Sequence, residues 1–184
     1  MRIIAGSARG RPLQGPRGAK EIRPTADRVR ETLFNILGQW MEGLFVLDLY
    51  AGTGALALEA LSRGAARAVL VDSGREAQRL LRANAAALGF SERCEVYALP
   101  VERALEKLGQ ERRRFDLVFA DPPYAARAVS ELLERLWAAA LLAPGGRLAI
   151  EHDRREEAPE RVGELVRYDQ RRFGDTLISL YAAA

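Results

Sequence analysis

Residues 44–61 constrain the fold more than any other stretch. Leu44 to Tyr50 is an apolar run of strand length, interrupted only by Asp48. It passes directly into Ala51-Gly52-Thr53-Gly54, and Ala55 to Leu61 then has helical character. A buried strand, a glycine turn and a helix open a nucleotide-binding βαβ unit, in which glycines let the backbone approach a ligand and the helix start offers free N–H groups. Here the pattern is Asp-x-x-x-Gly-x-Gly, not Gly-x-Gly-x-x-Gly. An acid at that turn repels a pyrophosphate and suits a ligand carrying an ammonium or a hydroxyl.

The rest of the chain repeats the alternation. A helix is expected near Thr25, ending at Gly38 or Gly43, with Val29, Leu33, Ile36 and Leu37 at helical spacing. Further strands are expected at Ala68–Val71, Glu95–Leu99, Leu117–Ala120 and Arg147–Glu151. Helices are expected at Glu76–Leu88, Val101–Leu108 and Arg127–Leu142, the last turning Leu132, Leu133, Leu136 and Trp137 toward the sheet. Pro144-Gly145-Gly146 looks like a sharp stop, and Arg154 to Val162 like loop or short helix. Leu165–Arg172 and Thr176–Tyr181 form a hairpin across Phe173-Gly174-Asp175. The expectation is an α/β fold with a seven-stranded, mostly parallel sheet and a C-terminal antiparallel hairpin. Residues 1–40 form an N-terminal basic arm and helix belonging to the same domain as residues 41–184.

The fourth strand ends abruptly at Asp121-Pro122-Pro123-Tyr124. Two prolines cannot continue a ladder, and Asp121 is held extended by the proline after it. The strand therefore delivers a carboxylate, two rigid carbonyls and an aromatic ring to the sheet edge where open α/β folds bind ligands. That set suits a planar amine whose lone pair is delocalised, such as a nucleobase NH2. Asp121 and the Pro122 carbonyl accept its hydrogens, and Tyr124 stacks on the base, a contact worth roughly 1–3 kcal/mol. A solvated Asp-Pro-Pro turn is the plainer alternative. Asp72, at the end of the second strand, is placed to accept from ribose hydroxyls.

Charge is uneven. Residues 1–30 carry eight cations against Glu21 and Asp27, a net +6, while the whole chain carries +3, leaving −3 for the remainder. The cations are Arg2, Arg9, Arg11, Arg17, Lys20, Arg23, Arg28 and Arg30. A basic arm on a slightly acidic body is a footprint for nucleic acid. One cysteine, Cys94, excludes an intrachain disulfide and fits a cytoplasmic location; it is expected in a strand. His152 is expected at the surface, no His/Cys cluster offers a metal site, and no apolar run is long enough for a membrane span.

Asp48-Leu49-Tyr50-Ala51-Gly52-Thr53-Gly54, Asp72 and Asp121-Pro122-Pro123-Tyr124 resemble the motifs of class I S-adenosylmethionine-dependent amino-methyltransferases, whose fold is Rossmann-like. The stretches Arg23 to Asn35 and Gly54 to Gly64 resemble, more narrowly, the bacterial RsmD family. The resemblance implies methylation of N2 of a guanine in 16S rRNA, within the assembled or assembling small ribosomal subunit, by a monomer needing no metal. It implies that Asp48, Ala51, Gly52 and Gly54 hold the methionine end of S-adenosylmethionine and Asp72 its ribose. Asp121 and Pro122 orient the guanine amine next to the cofactor, and Pro123 and Tyr124 contact the base. Arg9, Arg11, Arg23, Thr25, Arg28 and Arg30 face the RNA or the cofactor carboxylate. The adenine amine falls either to Glu102 or to backbone groups. Other classes remain open at this level: an amino-methyltransferase for DNA adenine, other RNA or a protein amide, and a non-catalytic RNA-binding assembly factor.

Overall fold

The computed structural model describes residues 1–16, 24–39, 41–123 and 128–183, with side chains in the first helix from 27 onward. Arg17, Lys20, Arg23 and Tyr124, and the side chain of Thr25, lie outside the described residues.

Among the described residues, five α-helices flank one sheet. The helices are α1 (Pro24–Leu37), α2 (Ala55–Ser62), α3 (Arg75–Leu88), α4 (Val101–Gln110) and α5 (Ala128–Ala138). The strands are β1 (Phe45–Leu49), β2 (Arg67–Val71), β3 (Cys94–Tyr97), β4 (Phe115–Ala120), β5 (Leu142–Asp153), β6 (Arg161–Val162), β7 (Leu165–Phe173) and β8 (Thr176–Ala183). Their order is β3-β2-β1-β4-β5-β8-β7-β6. β1 to β5 pair in parallel, whereas β8, β7 and β6 join by antiparallel ladders. The order reverses between β1 and β4, opening a crevice at their carboxyl ends.

Strand alternation sorts the core onto two faces. Val46, Leu117, Phe119 and Ala149 pack with α1, α2 and α3, while Leu47, Leu49, Val118 and Ile150 pack with α4 and α5. Asp48, Asp121 and Glu151 share the strand parity of the first set, so they emerge on the α1 face.

Several expectations are corrected. The sheet has eight strands because Arg161 and Val162, expected in a loop or helix, pair with Val166 and Leu165. Pro144-Gly145-Gly146 does not precede β5 but lies inside it. The ladder steps from Phe115↔Leu142 to Leu117↔Arg147, so the residues between bulge out, which tolerates a proline that cannot donate. α5 ends at Ala138, not Leu142, since Ala140 turns left-handed at φ 49°. Trp137 is 39% exposed rather than buried in the sheet, its indole lying over Gly163, where an added Cβ would meet it at 2.3 Å. His152 is buried, not on the surface: Nε2 bonds Ser179 Oγ at 2.9 Å across β5 and β8.

The N-terminal arm is docked. Ile3 N–H donates to Arg11 O at 3.0 Å and Gly10 N–H to Ile3 O at 2.8 Å, closing a small hairpin that buries Ile3, Ala8 and Leu13. The fully buried Glu59 of α2 accepts from Ile4 N–H at 2.8 Å and Ala5 N–H at 3.0 Å, and pairs with Arg63 at 2.9 Å and Arg30 at 3.7 Å. Ser62 Oγ accepts from Ala8 N–H at 2.9 Å. Only glycine fits at position 6: φ is 81°, and a Cβ would lie 1.8 Å from Ser62 O.

Candidate active site

Asp48 is delivered by β1 and stops beneath the start of α2, where its Oδ2 accepts from Ala57 N–H at 3.1 Å. It thereby satisfies one of the N–H groups that a helix start leaves free. The carboxyl is almost fully buried, and no salt-bridge partner exists for it among the described residues. Burial, reinforced by the charges of Asp121 and Asp72, pushes its pKa up to about 8, against the pull of the Ala57 N–H. At neutral pH the carboxyl is therefore mostly protonated, and a cation beside it would favour its ionised form.

The turn after β1 is tightly determined. Tyr50 adopts φ 59°, a left-handed conformation that costs a non-glycine residue roughly 1–2 kcal/mol. Ala51 N–H donates to Val71 O at 3.0 Å, and Gly52 N–H to Asp72 Oδ2 at 2.9 Å. Gly54 caps α2 at φ 79°, where a Cβ would come within 2.9 Å of Leu81 Cδ2. Asp72 also accepts from Gly74 N–H at 2.8 Å through Oδ1. Each oxygen keeps a second lone pair, so Asp72 shapes the turn and can still accept from a ligand hydroxyl.

A cavity of about 660 Å³ opens over these elements, within the range of small-molecule sites. Its walls include Asp48, Tyr50, Gly52, Asp121 and Glu151, and the hairpin turn at Phe173 to Thr176. Asp121 stands at the mouth, open to solvent yet surrounded closely enough that desolvation raises its pKa. Pro122 is buried and Pro123 exposed.

The remaining expected residues divide. Ala51 lines the cavity, and Asp72 and Gly54 support it from behind through the turn. Glu102 does not line it; it is exposed in the first turn of α4, though its charge helps raise the Tyr50 pKa. Arg9 and Arg28 are exposed around a separate recess that Arg2 and Glu31 also line. Arg11 is engaged within the protein, donating to the Leu88 and Ala87 carbonyls at the end of α3. Arg30 is buried, donates to Arg2 O and bonds Asp27 at 3.0 Å, so it fastens the arm to α1 while one edge reaches the cavity wall. Its Nε has no hydrogen-bond partner among the described residues.

Sequence reasoning missed Glu151. Burial and the charge of Asp121 push its pKa up to about 7. Nothing local in Arg147–Glu151 marks it out; its register against β4 does. Among the described residues, no cluster could hold a metal ion and no helix is long and apolar enough to cross a membrane.

The family model described as Conserved hypothetical protein 95 matches residues 1–182. The chain is 37% identical over 181 residues to "Putative rRNA methyltransferase YlbH" of Bacillus subtilis, covering 98% of each. It is 40% identical over 136 residues to ribosomal RNA small subunit methyltransferase D of Escherichia coli, covering 74% of this chain and 66% of that one. The solved structure of yhhF from Escherichia coli superposes with a TM-score of 0.87 at 34% identity, over all of this chain and 97% of that one.

Proposed function

The chain belongs to the RsmD family, with a class I methyltransferase fold and S-adenosylmethionine as cofactor, and on that premise we propose that it methylates the exocyclic N2 of one guanine in 16S rRNA of the small ribosomal subunit. The observation that carries this reading is the meeting of Asp121 and the Asp48 glycine turn in one cavity.

The residues fit the cofactor on chemical grounds. Asp48 is a buried carboxyl with no salt-bridge partner among the described residues, and the positive charges of the cofactor's methionine end would favour its ionised form. The left-handed Gly52 lets the backbone come close, and Asp72 accepts the ribose hydroxyls. The adenine amine falls to Glu102, whose charge acts on Tyr50 of the turn, or to backbone groups. Bound there, S-adenosylmethionine would supply an electrophilic methyl group on a sulfonium, with a neutral thioether as leaving group.

This chain's residues do the rest by positioning. Asp121 and the Pro122 carbonyl accept the two N2 hydrogens, which aims the nitrogen lone pair into the cavity. The new N–C bond leaves N2 positively charged and acidic, and Asp121 takes the proton it sheds. No strong base is needed, so orientation carries most of the rate. Tyr124 stacks on the extruded base, whose removal from a duplex costs a few kcal/mol and less from an open loop. Arg9 and Arg28, with Arg23 and Thr25, hold the RNA backbone, whereas Arg11 and Arg30 act from within the protein.

The test is methyl transfer from labelled S-adenosylmethionine to small subunits from a strain lacking this enzyme, followed by nucleoside mass analysis. N2-methylguanosine at one position is the expected product. Another methylated nucleoside, or methylated protein, would keep the catalysis and overturn the substrate. Protein-free 16S rRNA should be a poorer substrate than the subunit; equal rates on both would overturn that part.

A further inference from the structure

Glu151 is the second carboxylate of the cavity, and the sheet sets it beside Asp121. Ala120 and Ile150 are register partners in the parallel ladder of β4 and β5. Asp121, the first residue past the end of β4, therefore stands next to Glu151, which stays in β5 paired with Ile178 of β8, on neighbouring strands about 4.8 Å apart. Both line the cavity on the α1 face. Among the described residues, neither carboxylate has a salt-bridge or hydrogen-bond partner, and Arg30, the cation on the cavity wall, is committed to Arg2 O and Asp27. Two adjacent carboxylates without donors repel, which is part of why Glu151 holds its proton tightly.

What relieves such a pair is a ligand edge with two neighbouring N–H donors. Guanine presents N1–H beside N2–H2. Adenine presents its amine beside a lone pair on N1, and cytosine its amine beside a lone pair on N3. A protein amide places both hydrogens on one nitrogen. We infer that Glu151 is a specificity-determining residue, which accepts the N1–H of the target guanine while Asp121 and the Pro122 carbonyl accept its N2 hydrogens. The inference rests on the proposed guanine reaction and adds to it the reason other amino bases are refused. Above about pH 7, where Glu151 is ionised and where the experiment is run, a carboxylate facing a ring lone pair has no hydrogen to accept, and a site left with an unpaired buried acceptor discriminates strongly.

The experiment compares small subunits carrying guanine or 2-aminopurine at the target position, reassembled from synthetic rRNA, against wild type and Glu151→Gln. 2-Aminopurine keeps the N2 amine but has a lone pair at N1. Wild type should favour guanine in kcat/KM by about 10–100-fold, the worth of one well-formed base contact. In Glu151→Gln the amide can turn its NH2 toward the N1 of 2-aminopurine, so the preference should shrink at least tenfold. Cofactor affinity by calorimetry should stay within about twofold of wild type. An unchanged preference, with both substrates slowed alike, overturns the inference and makes Glu151 structural. A lost cofactor affinity with the preference intact overturns it too and assigns Glu151 to the cofactor. If wild type leaves guanine itself unmethylated, the proposed function fails first and this inference with it.

Discussion

Replacing Asp48 by Asn should make the protein more stable and a poorer binder of its cofactor, both in a pH-dependent way. An ordinary Asp titrates at 3.8, and Asp48 at about 8 in the folded chain. Between those values the folded state holds one proton more than the unfolded state. Stability therefore falls as pH rises, by about 1.4 kcal/mol per unit, and levels off above about pH 8. At pH 7 the accumulated cost is about 4 kcal/mol. Asn imitates the protonated carboxyl, can still accept from Ala57 N–H, and has nothing to titrate. The advantage of Asp48→Asn should thus grow by about 3 kcal/mol from pH 5 to pH 7, or roughly 5–10 °C in Tm for a domain of this size. Thermal scans at the two pH values measure it directly. Cofactor binding has the opposite sense. The ionised fraction of Asp48 in the free protein is about 1% at pH 6, about 9% at pH 7 and about 50% at pH 8. Wild-type affinity should rise about tenfold per unit and flatten above about pH 8, and the Asn variant should lose that slope. Glu151 and Asp121 titrate in the same cavity of both proteins, so the prediction is read from the difference in slope between wild type and variant. A Tm gap that stays constant from pH 5 to 7, or an Asn variant that keeps the wild-type slope in affinity, would refute the reasoning.

Other changes separate chemistry from architecture. Asp121→Ala should abolish methyl transfer and leave the calorimetric affinity for S-adenosylmethionine near wild type; equal loss of both would make Asp121 structural. Glu59→Gln leaves the buried Arg30 and Arg63 without their shared carboxylate and should cost about 3–5 kcal/mol in denaturant unfolding, a loss below about 1 kcal/mol contradicting the buried pairing. Arg9→Ala and Arg28→Ala should each weaken RNA binding uniformly across sequences and lower the salt slope by about 0.7–0.9, with cofactor affinity unaffected.

The α/β architecture was legible because apolar runs of strand length alternate with amphipathic segments, and because Gly52, Gly54 and the Pro122-Pro123 pair punctuate the chain where backbone geometry demands it. Local pattern failed where a distant partner decided the outcome. Pro144-Gly145-Gly146 signals a break in isolation, but Phe115 and Leu117 draw the flanking residues into one ladder with a bulge between. Arg161-Val162 is too short to announce a strand and becomes one only against Leu165 and Val166. His152 was expected at the surface from its polarity; Ser179, 27 residues away, satisfies its ring and permits burial. Arg30 and Arg11 belonged to a charged segment suited to RNA, yet their guanidinium groups close backbone gaps within the fold. Glu151 could be found only by register, since a lone Glu at a strand end carries no local signature.

The docking of the arm also imposes an order on how the molecule is made. Residues 4, 8, 11 and 14 find their partners 54 to 77 positions later in the chain, at Glu59, Ser62, Asn84 and Leu88. A ribosome adding about 5–20 residues per second leaves the arm waiting roughly 4–15 seconds for them. During that time Ile3 and Leu13 are uncovered apolar side chains on a nascent strand, and loop closure over such a span is entropically slow. Residues 3 to 13 are thus made well before the elements they dock on, and Met1, which lines the cavity, meets Thr53 only once the turn before α2 has been made. One wall of the cavity is thus made before the strands and helices that form the others.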